Sequence, residues 1–315
     1  MKFIETLRDG DRVADIYLCK NKVTAMTKNG KEYWSLLLQD KTGTIDAKVW
    51  DPNGMGIGDF EILDYIEVTG DVTSFNGALQ LNAKRIRLIP SERCNQADFL
   101  PATDKDVDEM YGQILSYIQS VKNTYLHQLL GKIFVEGSHL TQEFKKHSAA
   151  KSVHHGFIGG LLQHTLAVTD LCNFYCKQYP ILNRDLLITA AIVHDIGKMW
   201  EIAAFPVNDY TDDGQLLGHI VIGVEKIGKC VDSIEGFPKV MASQLKHCIL
   251  AHHGELEYGS PKKPALIEAL ALHFADNTDA KIQTMTELLN SPNTNNGEWY
   301  GYQRMFESNV RRTHE

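Results

Sequence analysis

The spacing of apolar residues changes once along this chain. Over residues 1–90 apolar positions alternate with polar ones in short runs; from residue 105 they recur every third or fourth position. The first stretch reads as five strands: RVADIYLCKNKV, EYWSLLLQD, TIDAKVW, DYIEVTGDVTSF and ALQLNAKRIRLI. Turn residues separate them, with KNG at 28–30, DKTG at 40–43, DPNG at 51–54 and FNG at 75–77. TIDAKVW shows the pleat most cleanly: Ile45, Ala47 and Val49 share one face, Asp46, Lys48 and Trp50 the other. A small barrel or sandwich follows from strands this short and regular.

The second stretch reads as helix. DVDEMYGQILSYIQSVK places Met110, Ile114, Tyr117, Ile118 and Val121 at helical spacing. Further helices are predicted over TYLHQLLGKIF, SHLTQEFKKHSAA, residues 184–203, residues 237–252 and PALIEALALHFADNTDAKI. Pro90 and Pro101 bracket a polar joint, and Thr103 with Asp106 marks a helix start. The predicted organisation is a β domain at 1–90, a linker at 91–104, an all-α domain at 105–290 and a polar tail with aromatics at 291–315. That is an α+β multidomain chain. The exposed aromatic tail permits docking on another surface or a homo-oligomer.

Five strands in so small a domain fit an OB-fold barrel. The phrase YWSLLLQDKTGTIDAKVW resembles the nucleic-acid-binding OB domains that precede catalytic domains in several nucleases and synthetases. Such barrels hold single strands by stacking bases on aromatic rings along a basic groove. The candidates are Tyr33, Trp34, Trp50 and Phe75, with Lys48, Lys84, Arg85 and Arg87. Trp34 alternates with Leu36 and Leu38 and reads as core; Trp50 shares the polar face of its strand and reads as platform. Single-stranded RNA or DNA is the expected partner.

Chemistry gathers in the helical half. AAIVHDIGKMW, at 190–200, sets His194 beside Asp195 in an apolar run, with Lys198 one turn further on. Buried charges need a partner or a metal, and imidazole with carboxylate suits zinc, manganese, iron or nickel. A hydrogen-bonded core histidine explains the pair equally well. The pair has company, however: His164 in GGLLQHT, His219 in LLGHIVIG, His252 and His253 in ILAHHGE, and Asp276 in ALHFADNTDA. Each lies in, or at the end of, a separate predicted helix. Neighbours on a helix point about 100° apart, so His194 and Asp195 can face one cluster, with Lys198 on the same side. Lys198 could neutralise phosphate charge there, or be a solvated lysine near a helix end. Gly159 and Gly160 mark a helix start or a close backbone approach. Lys151, His154 and His155, just upstream, suit phosphate binding, with capping or packing of the loop as the alternative; substrate contact is favoured for His155. His127, His139 and His147 lie in polar segments and read as surface residues, and His273 is left out of the set.

The ordered set resembles the HD-domain superfamily of metal-dependent phosphohydrolases over about residues 150–285. The resemblance implies one divalent ion on His164, His194, Asp195 and Asp276, and a second on His219, His252 and His253 with Asp195 bridging. It implies Asp195 and Lys198 as catalytic residues, and two ions that activate water and stabilise charge on a phosphoryl oxygen. Manganese leads, with iron, nickel, cobalt, zinc and magnesium as alternatives. Some HD enzymes that degrade cyclic dinucleotides place an acidic ligand one turn before the first histidine and GYP after the HH pair. Here Gly160 and HHGELEYGSPKKP stand instead, so neither that substrate nor a third ion is implied.

Charge and cysteine usage narrow the setting. A net charge of −8 argues against a generic basic nucleic-acid binder, though not against a nucleic-acid substrate, because bound cations invert the field of an acidic site. Cys19, Cys94, Cys172, Cys176, Cys230 and Cys248 form no CxxC pair and read as reduced thiols. No apolar run nears the roughly 20 residues of a membrane helix, and MKFIETLRDGDRV has no apolar signal core. A cytoplasmic chain with no membrane partner is expected.

An OB-like domain joined to HHGFIGGLLQHT and HDIGK resembles the YhaM-type 3′–5′ exoribonucleases. That family implies manganese-stimulated release of nucleoside 5′-monophosphates from single-stranded RNA. Two other readings stay open at this point. One is a phosphohydrolase acting on small nucleotides, the other a strand-binding protein whose HD site is structural.

Overall fold

The computed structural model describes residues 2–75, 77–134, 139–151, 155–290 and 298–313. The chain divides into two compact units, Met1–Ala102 with Phe205–Val207, and Thr103–Ala204 with Asn208–Glu315.

In the first unit, β1 (Arg12–Met26), β2 (Glu32–Asp40), β3 (Gly43–Val49), β4 (Tyr65–Phe75) and β5 (Ala78–Ile89) close into a barrel in the order β1-β2-β3-β5-β4. This is the OB-fold read from the sequence. β1 closes it because it pairs twice, Arg12–Leu18 with β4 and Leu18–Met26 with β2. A bulge between Cys19 and Asn21 bends the strand between those two partners. The interior is the alternating apolar set: Ile45, Ala47 and Val49 are buried with Leu36, Leu38, Val68 and Leu81. The stretch read as linker packs on the barrel as far as Leu100. Phe99 and Leu100 are buried, Phe99 sits edge-on to Tyr65 at 4.8 Å, and Gln39 Nε2 donates to the Phe99 carbonyl at 3.0 Å. An apolar pair inside a polar segment is what ties it down.

The second unit holds α1 (Val107–Ser120), α2 (Thr124–Ile133), α3 (His139–Lys146), α4 (Gly160–Gln178), α5 (Arg184–Val193), α6 (Lys198–Glu201), α7 (Asp212–Asp232), α8 (Lys239–Leu250) and α9 (Ile267–Asn290). Asp106, rather than Thr103, caps α1: its Oδ1 accepts from the Asp108 and Glu109 amides at 2.8 and 3.0 Å. α5 is the central helix. Every residue from Leu186 to Val193 is buried, which is why its sequence is apolar all round, and it packs against α4, α8 and α9.

Two expectations are corrected. The helix predicted over 184–203 is two helices, broken at 194–197. His147 is not a surface residue: it is 5% exposed, and its Nδ1 lies 2.9 Å from the Ser148 carbonyl. The tail, read only as polar with aromatics, contains a hairpin, β6 (Trp299–Gln303) with β7 (Ser308–Arg311), beyond the helices of 105–290. WYGYQ and SNVR are too short and too mixed in polarity to announce strands. Among the described residues, no helix is long and apolar enough to cross a membrane. All six cysteines are free.

Candidate metal centre and nucleic-acid face

The HD pair sits where α5 stops. His194 keeps helical backbone angles as the last cap residue, and the chain then turns through Gly197 into α6. A Cβ on Gly197 would lie 2.0 Å from the His219 carbonyl and 2.8 Å from the Gly223 amide. Only glycine therefore lets this turn press against α7. α7 is itself kinked at Gly218, with φ 72° and ψ 157°, and restarts at His219. Glu201 caps the restart, its Oε1 accepting from the His219 amide and from His219 Nδ1, both at 3.0 Å. α4 begins at the predicted glycines: Gly159 is left-handed, and a Cβ on Gly160 would meet the His155 carbonyl at 2.0 Å. Both roles proposed for that pair are present. His252 and His253 follow the end of α8, and Asp276 comes from the middle of α9.

These elements bring all seven candidate ligands together. His164 Nε2 is 3.2 Å from Asp276 Oδ1, 3.3 Å from Asp195 Oδ2 and 3.2 Å from His194 Nε2. His194 Nε2 is 3.4 Å from Asp195 Oδ2. The other oxygen of Asp195 faces elsewhere, 3.4 Å from His219 Nε2 and 3.5 Å from His252 Nε2. His219, His252 and His253 form a further group able to hold an ion, as do His164, His194 and Asp276. A bond of about 2.0–2.2 Å from each donor to a shared ion sets neighbouring donors about 3.0–3.5 Å apart, which is the spacing found. Lys198 Nζ pairs with Asp195 Oδ2 at 2.7 Å.

The ring orientations say more than the distances. His194 Nδ1 donates to the Ala191 carbonyl at 2.8 Å, His252 Nδ1 to Ile249 at 2.7 Å and His253 Nδ1 to Tyr258 at 2.9 Å. His164 Nδ1 donates to Asp279 Oδ2 at 2.6 Å, as His219 does to Glu201. Carbonyls and carboxylates only accept, so all five rings spend their Nδ1–H outward and turn Nε2 toward the centre. There, Asp195 Oδ1, His219 Nε2 and His252 Nε2 are buried with no hydrogen-bond partner. Stranding three such atoms costs about 1–3 kcal/mol each unless something occupies the point they share. A divalent cation satisfies all three, so the residues fit a metal.

Electrostatics agree. Burial would lower the His164 pKa, but Asp195, Asp276 and Asp279 outweigh it and hold it well above the ordinary histidine value. Burial would raise Asp195; Lys198 and His194 hold its carboxyl well below the usual range. Burial, with His252 and His219 nearby, pushes His253 down to about 3, so it stays neutral. The cluster thus offers ionised carboxylates and a neutral His253, and the three acids around His164 favour positive charge at that point, which a cation would supply.

The remaining candidates scatter. His155 is 1% exposed and lies behind His164, its Nε2 2.9 Å from Asp279 Oδ2. Lys151 pairs with Asp209 at 2.6 Å, and His154 lies outside the described residues. On the barrel, Tyr33 and Trp50 stack with ring centroids 5.0 Å apart, and Trp50 Nε1 donates to Asn82 Oδ1 at 2.8 Å. Trp50 and Phe75 are 46% and 62% exposed, whereas Trp34 packs edge-on to Phe60 as a core residue. The cations are mostly engaged: Lys48 with Asp46 at 2.8 Å, Lys84 with Asp71, and Arg87 with Glu67 at 3.0 Å. Arg85 has no ion-pair partner among the described residues.

Two residues escaped the sequence reading, Asp279 and Glu201, and a third, His273, was set aside by it. Asp279 and Glu201 fix the tautomers of His164 and His219, and His273 donates Nδ1–H to the His252 carbonyl at 3.1 Å beside the cluster. Asp279 had a signal, since it repeats the acid of Asp276 one turn later on α9. Glu201 had none, because its partner comes from across the Gly197 contact.

Fold and centre together define a metal-centre hydrolase of the HD type behind an OB-fold barrel. The HD domain family matches residues 161–281, and the OB-fold nucleic acid binding domain family matches residues 19–89. The 3′–5′ exoribonuclease YhaM of Geobacillus sp. (strain WCH70) is 36% identical over 282 residues, 89% of this chain and 86% of that protein. The YhaM of Bacillus subtilis (strain 168) is 35% identical over 281 residues, 89% and 88% respectively. The chain belongs to the YhaM family of 3′–5′ exoribonucleases.

Proposed function

We propose that this chain hydrolyses single-stranded RNA from its 3′ end, releasing nucleoside 5′-monophosphates, in the cytoplasm. The observation that carries the reading is the convergence of four histidine Nε2 atoms on the two oxygens of Asp195, with His253 grouped beside His219 and His252 and three of the buried atoms unpartnered. His164, His194, Asp276 and Asp195 Oδ2 would hold one divalent ion, and His219, His252, His253 and Asp195 Oδ1 a second, manganese being our choice. Bound there, such ions supply water activation and Lewis-acid stabilisation of a phosphoryl oxygen. Asp195 can serve both because a carboxylate has two oxygens. Lys198 lines the cleft beside the cluster and keeps a positive charge, its pKa held up by Asp195 against burial. It is placed to meet a phosphate oxygen and hold the scissile group in position. Asp279 and Glu201 keep the rings of His164 and His219 aimed inward. On the barrel, Tyr33, Trp50 and Phe75 offer stacking surface for bases. The direction of attack follows the family.

The test is a 5′-labelled single-stranded RNA incubated in manganese with the wild type and with Asp195→Ala. A ladder shortening from the 3′ end with the wild type alone is expected. RNA left intact by the wild type would overturn the proposal and turn attention to small nucleotides.

A further inference from the structure

Two segments without a role so far meet at one place. The loop after His252–His253 and the turn of the C-terminal hairpin both line a cleft of about 440 Å³, whose floor includes His164, Lys198, His253 and Asp276. Tyr258 comes from the loop and Met305 from the hairpin turn. Asn277 and Lys281 complete the wall from α9. They stand one turn apart, on the face that also carries Asp276 and Ala280.

This wall is built, yet it is unspent. The hairpin is fixed to its own domain, since Tyr300 Oη donates to the Leu289 carbonyl at 2.9 Å and the Arg312 guanidinium donates to the same oxygen. Four side chains of the wall, Tyr258, Met305, Asn277 and Lys281, are idle. Tyr258 and Met305 are 63% and 49% exposed. The Asn277 amide and the Lys281 ammonium have no hydrogen-bond or ion-pair partner among the described residues.

The chemistry of the wall matches one nucleotide. The volume lies at the small end of the roughly 300–1,000 Å³ range of ligand pockets, which suits a single nucleotide rather than a strand. An aromatic ring and a polarisable thioether suit the faces of any base. An amide that both donates and accepts suits ribose hydroxyls, which do the same. An ammonium suits phosphate. The floor is the metal centre, so a phosphate held there leaves its nucleoside in this cleft. We propose that the cleft is the subsite for the terminal nucleotide, the one released, with Tyr258 and Met305 gripping its base and Asn277 reading its ribose. The proposal rests on the exonuclease reading above and adds to it the structure that measures off one residue per cut.

Adenosine 5′-monophosphate is the probe. Its dissociation constant is measured calorimetrically on the full chain in manganese, beside KM and kcat on labelled RNA. Tyr258→Ala and Met305→Ala are each expected to weaken nucleotide binding and raise KM about tenfold, with melting temperature unchanged because neither side chain is in the core. Tyr258→Phe should restore most of the loss. The wild type should prefer RNA over the same RNA ending in a single 2′-deoxynucleotide, and Asn277→Ala should erase that preference. A wild type that cuts RNA while both alanine variants bind the nucleotide and RNA as tightly as it does overturns the subsite. A wild type that leaves RNA intact yet loses nucleotide binding through Tyr258→Ala keeps the subsite and overturns the exonuclease reading.

Discussion

On the outer face of the barrel Lys48 leans on Asp46, Lys84 on Asp71 and Arg87 on Glu67. In the helical unit the reverse holds. Asp195 Oδ1, His219 Nε2 and His252 Nε2 are buried and left without partners. Three of the barrel's four candidate cations are balanced within it, so under the proposed function aromatic surface is the main thing it would offer a strand. The centre's stranded atoms are ones that a cation satisfies. Under the proposed function, affinity would come from stacking on one unit and chemistry from charge on the other.

The largest effects should come from tilting the centre without touching a ligand. Asp279→Asn and Glu201→Gln keep a hydrogen-bond acceptor but lose the charge that steadies His164 and His219. Each is expected to lower manganese affinity about 10- to 100-fold, as such outer partners do elsewhere, checked by calorimetric titration. If both variants bind manganese as the wild type does, the ring orientation is incidental.

Acidity should act on the same contrast. Three carboxylates hold a proton on His164 well above the ordinary range. Metal has to displace it, so affinity rises with pH, by up to about one decade per unit while one proton is released. Titrations at pH 6, 7 and 8 in two buffers of different ionisation heat count that proton. An affinity that does not change with pH would contradict the charge balance described for the centre.

On the barrel the effects should be smaller. Trp50→Ala removes the exposed partner of the Tyr33 stack and is expected to raise KM for a long RNA about tenfold, while kcat stays close to the wild-type value. Arg85→Gln, at the one unpaired cation of the four candidates, should weaken binding only about two- to threefold, read by fluorescence anisotropy at two salt concentrations. An Arg85 effect exceeding that of Trp50 would reverse the division between stacking and charge.

How much of this was legible in the chain depended on chemical cost. The barrel was readable because Ile45, Ala47 and Val49 alternate with Asp46, Lys48 and Trp50, and a pleat has no other use for that pattern. The centre was readable because histidines and aspartates inside apolar helices need a reason. The break at 194–197 was hidden because AAIVHDIGKMW is apolar enough to pass as continuous helix, and Gly197 looks innocuous until α7 is laid against it. Glu201 was hidden for the same reason. His147 was misjudged because the polar run of α3 before it gives way, at His147, Ser148 and Ala149, to a buried stretch that the sequence does not announce. The hairpin at 299–311 carried too few alternating residues to be seen, and with it went Met305 and its wall of the cleft.

The account stands most directly on a count of metal. The purified chain, stripped with chelator and reloaded with manganese, is titrated calorimetrically beside Asp195→Ala, with melting temperature followed in both. The account predicts two equivalents for the wild type, a rise in melting temperature on loading, and loss of at least one equivalent in the variant. A wild type that binds no manganese, with its melting temperature unmoved, would show that Asp195 and its five histidines are a packed polar core and not a metal centre.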